Sequence, residues 1–325
     1  MSLEIEQPGL HTTVQDLGRP GLYHLGIPQG GALDRSSAIL ANALVGNEPA
    51  AALFECTYLG PTFTTTEPTL LAVTGASVQL LVNGDPAPSW ATVALAAGDR
   101  VSFGYVTAGA RYYLAFAGGI DVPEDLGSRS TYQVGSLGGF HNRALAAGDD
   151  VPVGTPSGPA PAPGTALPEE LRPVFPTEVD LRVIPGLYDH RLTEAGRETL
   201  FSATWRLTPV ADRTGMRFEG ATLDWRERVP PFGAGSDPSN IVDAGYPVGS
   251  IQVPNGTQPI ILHRDAVSGG GYAVVATVIS ADLDRVAQCM PGTNTRFVEV
   301  DMDAALAARR AGREHLERSL AAVAG

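Results

Sequence analysis

Eight of the chain's 26 prolines fall between Val151 and Pro176, in the run VPVGTPSGPAPAPGTALPEELRPVFP. Proline fixes φ and carries no backbone donor, so such a run is barred from helix interiors and central strands. It reads as an extended, semi-rigid linker with polyproline II character. Placed near the middle of 325 residues, it divides the chain into halves of similar size. The expected organisation is a first subdomain over residues 1–150, a linker over 151–176, a second subdomain over 177–302 and a C-terminal amphipathic helix over 303–325.

Both halves read as mainly β. Thr69–Thr74, Val78–Val82 and Arg111–Ala117 are rich in β-branched and aromatic residues, and Asn83-Gly84 is a hairpin signal. ALAAGDRV at Ala94–Val101 is nearly repeated as ALAAGDDV at Ala144–Val151, with a weaker echo, PGTNTRFVEV, from Pro291. Each reads as a turn that launches a new strand, and the irregular spacing argues against a solenoid. Helices are few. Asp34 is placed to cap a helix over Ser36–Leu44 that Gly46-Asn47 stops, and Asp282 opens a short one through Ala287. From Asp303 to about Ala322, Leu306, Leu316 and Leu320 mark the apolar face of a last helix. The fold class expected from this pattern is all-β with a few short helices.

Composition excludes several kinds of chemistry. All 22 residues of the Lys+Arg total are arginine. Without lysine the chain can form no Schiff base with pyridoxal phosphate, offers no P-loop lysine and cannot itself carry biotin or lipoate. A net charge of -13 disfavours nucleic acid or an anionic membrane as the main partner. No apolar run reaches the roughly 18 to 20 residues of a membrane span, and no secretory pattern opens the chain, so the expected location is cytoplasmic. Cys56 and Cys289 form no CxxC pair and read as buried small side chains. The six histidines form neither HxH nor HExxH, so no metal site is expected.

Two glycine-dense stretches carry the polar residues of interest, TVQDLGRPGLYHLGIPQGGALD at Thr13–Asp34 and GSIQVPNGTQPIILHRDAVSGGGY at Gly249–Tyr272. Glycine at this density serves tight turns, or a backbone that a ligand or second strand approaches closely. No GxSxG elbow and no GxGxxG between strand and helix is present, and Gly269-Gly270-Gly271 precedes an apparent strand over Tyr272–Ile279. What remains is an acid–base and anion-binding set. Asp265 follows the apolar strand Pro259–Leu262, where alternation would send His263 and Asp265 to one face and Arg264 to the other. An ordinary Arg264–Asp265 surface ion pair is the competing reading. Gln252 is suited to hydrogen-bond an amide or ureido group, and Tyr272 to stack on a small planar substrate. Arg213 in DRTGMRFEG and Arg129 in LGSRST are forks for an anion, with structural ion pairs as the alternative. Asp34 completes the candidate set.

In order along the chain, TVQDLGRPGLYHLGIPQGGALD, NALVGNEPAAALFECTYLGPTF, LAVTGA, YYLAFAGGIDVPEDLGSRST, DRTGMRFEG, GSIQVPNGTQPIILHRD and VISADLDRVAQCMPG resemble the allophanate hydrolase subunit 2 family, also called KipA-like. That family includes the C subunit of 5-oxoprolinase and is similar to the C-terminal half of the carboxyltransferase domain of urea carboxylase (urea amidolyase). The resemblance implies two tandem cyclophilin-like β-barrel subdomains and a partner, the KipI-like subunit 1. It implies one of three roles. The first is the C subunit of an ATP-dependent 5-oxoprolinase, working with a LamB/YcsF-type protein. The second is a carboxyltransferase that takes the carboxyl group from carboxybiotin carried on another protein and passes it to a urea-like acceptor. The third is a non-catalytic regulator of subunit 1. In the catalytic roles Gln252 and Tyr272 would hold a small amide or ureido substrate, Asp265 would act as base or orienter, and Arg213, with His263, Asp34 and Arg129, would bind substrate. Many relatives read DRQTTGGY where this chain has DAVSGGGY at Asp265–Tyr272. Loss of a charge and a hydroxyl there implies a different hydrogen-bonding demand on the substrate.

Overall fold

The computed structural model describes residues 1–156, 158–159 and 161–324. It divides into two compact units, each with its own core. The first comprises Met1–Arg19, Gly30–Phe175 and the chain from Arg313 onward. The second comprises Pro20–Gln29 and Pro176–Gly312.

In the first unit two antiparallel sheets share a core. One runs Asp150–Pro152, Ser2–Gln7, Thr62–Thr65, Arg100–Phe103, Leu80–Val82, Asp85–Ala87 in spatial order. The other runs His11–Gln15, Leu53–Thr57, Ala108–Phe116, Thr69–Ser77, Thr92–Leu95. The Ala108–Phe116 strand is buried on both faces. Its two-residue period sends Tyr112, Leu114 and Phe116 into the core between the sheets, and Tyr113 and Ala115 to the opposite face. Helix Arg35–Leu44 covers that second face with Ala38, Leu40, Ala41 and Leu44, spaced three and four apart. Asp34 caps it as expected, accepting from the Ser37 amide at 3.0 Å, and Gly46 ends it at φ +73°. The last helix, Met302–Ala324, lays Leu316, Leu320 and Val323 on the same apolar cluster.

The near-repeats form the same turn twice. Asp99 and Asp149 each accept from the amide three residues earlier, Ala96 and Ala146, at 2.7 Å. Gly98 and Gly148 supply positive φ at +85° and +86°. The echo keeps this geometry with threonine in place of aspartate. Thr293 Oγ1 accepts from the Met290 amide at 3.1 Å, and Gly292 sits at φ +94°. Strands Arg100–Phe103, Asp150–Pro152 and Asn294–Glu299 start directly after the three turns.

The proline-rich stretch differs from a free linker. Val153 bridges to Ile120, the Gly154 amide donates to Gly119, and the Thr92 and Gly164 amides bond the Thr165 and Thr92 carbonyls. The Leu167 amide donates to Trp90, and its side chain is fully buried. Proline forfeits only its own donor, so the residues between prolines still pair along an edge strand. Residues 157 and 160 of this stretch, and 325 at the end of the expected helix, lie outside the described residues.

The second unit contains a closed seven-stranded barrel, in the order Glu178–Pro185, Val274–Val278, Ser250–Gln252, Ile260–Leu262, Gly215–Glu219, Trp205–Ala211, Asn294–Glu299. Closure comes from parallel pairing of Asn294–Glu299 with Glu178–Pro185. Trp205, Phe218, Phe297, Met216 and Ile261 fill the interior. Helices Glu194–Ser202 and Leu283–Ala287 complete the unit with a two-stranded ribbon, Asn240–Gly245 against Gly269–Tyr272. The chain is thus mainly β with four helices among the described residues, in keeping with the all-β expectation.

Candidate functional site

The second unit gathers most of the residues singled out in the sequence. Strand Ile260–Leu262 ends one residue before His263, and the chain then turns, the Ala266 amide donating to the His263 carbonyl at 3.0 Å. The turn breaks the expected alternation, and His263, Arg264 and Asp265 are all buried. The Asp265 carboxylate takes Arg213 as a partner. Arg213 Nε donates to Oδ2 at 2.7 Å and Nη2 to Oδ1 at 3.0 Å, a bidentate fork with 8% and 9% of the two side chains exposed. The Asp265 amide also donates to the Arg213 carbonyl at 3.1 Å. Arg213 is therefore engaged by a carboxylate of its own chain. His263 is fully buried; Nδ1 accepts from the Arg264 amide at 3.0 Å and Nε2 lies 3.3 Å from the Leu283 carbonyl. Those contacts place the ring proton on Nε2. Tyr23, from the glycine-dense stretch at the N-terminal end, belongs to this unit, and burial pushes its phenol up against the opposing charge of Arg264.

Gln252 ends strand Ser250–Gln252, paired with Ile260 on one side and Val274 on the other. Ile251 faces the barrel core, whereas Ile260 and Val274 pack outward with Tyr246, Leu262 and Ala266. Gln252 shares that outer row. Its side chain is buried within this apolar patch, and Oε1 is inaccessible with no hydrogen-bond partner. A buried amide oxygen left unsatisfied costs about 1–3 kcal/mol.

Tyr246 went unnoticed in the sequence, yet it anchors the ribbon. Its hydroxyl accepts from the Tyr272 amide at 2.6 Å and donates to the Tyr272 carbonyl at 3.0 Å. Burial raises its pKa, the bond to Tyr272 opposing the shift. The Tyr272 side chain itself is 39% exposed. The glycine run itself forms strand Gly269–Tyr272, and the strand expected after it begins at Val274, past Ala273, and runs to Val278. A Cβ on Gly270 would stand 3.0 Å from the Tyr246 ring. The only sequence signal for Tyr246 was this need for bare backbone opposite it.

Asp34 and Arg129 belong to the first unit and hold its loops. Asp34 accepts from both the amide and hydroxyl of Ser37. Arg129 donates to the Val122 carbonyl at 2.7 Å and pairs with Glu124 and Asp121 at 3.4 and 3.8 Å. The first unit also contains a buried polar network that sequence reasoning missed. Glu55 Oε2 accepts from the Leu33 amide at 2.8 Å and the Tyr113 hydroxyl at 2.9 Å, and Tyr113 Oη accepts from the Asp34 amide. Burial, with the negative charges of Glu55 and Asp34, pushes the Tyr113 phenol well above its ordinary value. Asp16 is a second hub, accepting from Gly18, Ser128, Arg129 and Ser130. Among the described residues no three His, Cys, Asp or Glu side chains gather as a metal site requires, and no helix is long and apolar enough to cross a membrane.

A family model described as carboxyltransferase domain, subdomain A and B, matches residues 25–299. The urea amidolyase of Lachancea kluyveri is 34% identical over 316 residues, covering 94% of this chain and 17% of that protein. The C subunit of the Escherichia coli K12 5-oxoprolinase is 32% identical over 316 residues, 97% of each chain. Among solved structures, the urea amidolyase of K. lactis superposes with a TM-score of 0.91 at 33% identity, over 98% of this chain and 20% of that one. The chain thus spans no more than a fifth of these urea amidolyases.

Proposed function

Since the chain belongs to the carboxyltransferase family of subdomains A and B, we propose that it works as one component of a heteromeric enzyme acting on a small amide or ureido substrate. The activity we assign is ATP-dependent amide hydrolysis, with the chain in the place of the 5-oxoprolinase C subunit and a KipI-like subunit 1 and a LamB/YcsF-type protein as partners in the cytoplasm. The observation that carries the reading is the buried, unpartnered Oε1 of Gln252. An amide or ureido N–H is the neutral donor that would satisfy it, and a substrate lacking that donor would leave the oxygen unpaired.

In this reading Tyr272 presents its exposed ring to the planar amide, while Tyr246 fixes the backbone beneath it. Asp265 is an orienter: it holds Arg213 in a buried fork and shapes the turn after Ile260–Leu262. His263 braces that turn against Leu283. ATP, where it is used, would supply phosphoryl activation of the amide, and carboxybiotin an activated carboxyl group. A ureido ring fits the Gln252 oxygen as well as a lactam does. Likeness to urea amidolyase, at a TM-score of 0.91, therefore supports a second reading, carboxyl transfer to a urea-like acceptor.

The deciding experiment is co-expression with the subunit 1 and LamB/YcsF-type proteins, followed by an assay of ADP and glutamate release. Release that depends on 5-oxoproline supports the hydrolase. An intact complex without turnover refutes it, and carboxybiotin decay stimulated by urea then establishes the second reading.

A further inference from the structure

Arg213 is committed to Asp265, and the same unit supplies another anion fork. Arg191, Arg226 and Arg228 converge where the short turn Asp189–Arg191 meets the segment leading to the ribbon. The Arg226 amide bonds the Arg191 carbonyl at 2.9 Å. All three guanidinium groups are positioned by neutral backbone carbonyls. Arg191 Nη2 donates to Pro238 at 2.6 Å, Arg226 Nε to Leu192 at 2.9 Å, and Arg228 Nη2 to Asp237 at 3.1 Å and Asn240 at 2.7 Å. Among the described residues no carboxylate forms an ion pair with any of them. The acids near them in the chain are engaged elsewhere: Asp224 accepts from the Thr193 hydroxyl at 2.8 Å, Asp189 lies 3.9 Å from Arg197, and Asp237 turns Oδ1 to the amide and hydroxyl of Ser239.

That is an unusual arrangement in a protein with 35 acidic residues and 22 arginines. Arg191 and Arg228 are close enough to repel: the pKa of Arg191 is lowered by desolvation and then by the charge of Arg228. Arg228 Nε is inaccessible and has no hydrogen-bond partner. Paired cations held apart from acids, with a buried donor unspent, lack only the anion that would neutralise them.

Topology connects this pair to the proposed substrate site. The Tyr188 amide donates to the carbonyl of Val274 at 3.2 Å, and Val274 is the cross-strand partner of Gln252. Asn240, whose carbonyl holds Arg228, is the cross-strand partner of Tyr272. We infer that Arg191 and Arg228 form the subsite for a carboxylate borne by the amide substrate, so that the chain prefers a carboxylated lactam to a neutral one. This inference rests on the amide reading above and assigns the residues that hold its substrate's carboxylate.

The test compares binding of 5-oxoproline and of 2-pyrrolidinone, the same lactam without the carboxylate, to the assembled complex by calorimetry. Inorganic phosphate serves as a third probe. The wild type is expected to bind 5-oxoproline at least tenfold more tightly than 2-pyrrolidinone. Arg191→Gln and Arg228→Gln should each abolish most of that ratio while 2-pyrrolidinone binding persists, which also reports that the site is folded. Arg191→Lys, which keeps the charge and loses the fork, should retain part of it. A wild-type ratio near one, or a ratio that survives both glutamine variants, overturns the inference and leaves the amide reading standing. Phosphate displacing 5-oxoproline without displacing 2-pyrrolidinone supports the anion subsite; phosphate binding with no preference for the carboxylated lactam overturns its assignment to a substrate carboxylate. Binding of neither lactam refutes the amide reading, and the carboxylate assignment falls with it.

Discussion

Breaking the Arg213–Asp265 pair tests whether Asp265 orients or acts as a catalytic base. The fork closes at 2.7 and 3.0 Å with less than a tenth of either side chain exposed. Asp265→Ala would leave a buried guanidinium without its carboxylate, and Arg213→Met would leave the carboxylate without its fork. Removing one partner of a buried pair costs about 3–5 kcal/mol, whereas replacing both with apolar groups is often neutral or stabilising. Each single change should therefore destabilise the second unit by about 4 kcal/mol, and Arg213→Met with Asp265→Leu by much less than the sum. With a urea slope of about 2–3 kcal/mol/M, each single loss corresponds to a midpoint shift of about 1.5 M. Trp205 and Trp225 lie in the second unit and Trp90 in the first, so removing Trp90 by Trp90→Phe isolates the relevant fluorescence transition. Singles that cost under 1 kcal/mol, or a strictly additive double mutant, would refute the argument. Asp265→Asn with an unchanged midpoint and abolished turnover would point instead to a catalytic base.

Asp34→Ala should destabilise the first unit by about 1–2 kcal/mol, read as a lower urea midpoint, with Asp34→Asn largely restoring it, because the cap accepts from both Ser37 groups. The Arg143–Asp149 pair should contribute pH-dependent stability. The hydrogen bond from Arg143 leads the causes holding Asp149 below its ordinary value. A depressed carboxylate stabilises the fold above its unfolded pKa, near 3.9, and loses that contribution as pH falls through the folded value. Arg143→Gln should thus cost roughly 1 kcal/mol at pH 7, modest because 41% of the arginine side chain is exposed. The difference from wild type should vanish in acid titrations below the ordinary carboxylate range, and a difference that persisted there would contradict the assignment.

Local chemistry was legible in the sequence wherever one residue type decides the backbone. The Gly-Asp turns at Gly98-Asp99 and Gly148-Asp149 follow from positive φ and a side chain that bonds three residues back. The Asp34 cap and the stop at Gly46 follow from the same kind of reasoning. Long-range partners were hidden. Arg213 and Asp265 are 52 residues apart, and their meeting depends on barrel register, not on any spacing in the chain. Glu55 lies between Phe54 and Cys56 and reads as the solvent-facing member of an alternating strand. Helix Arg35–Leu44 covers that face, and Glu55 is buried. In the proline-rich stretch, proline density reports only on the donors lost, and the bonds that Thr165 and Leu167 make to Thr92 and Trp90 carry no such signal. Tyr246 and the arginine trio carried no motif of their own; burial singles out the tyrosine, and the lack of an ion-paired acid the arginines.

Gln252 provides the most direct measurement of the central claim. Its Oε1 is buried without a partner, so Gln252→Leu removes an unsatisfied group and should leave stability unchanged or raise it by about 1 kcal/mol. The same variant should lower the affinity of the assembled complex for its amide substrate tenfold or more. Paired thermal melts and substrate titrations of wild type and Gln252→Leu would read both effects. Retained or improved stability with lost binding is the outcome the account predicts. A destabilised protein that binds its amide as tightly as the wild type would contradict it.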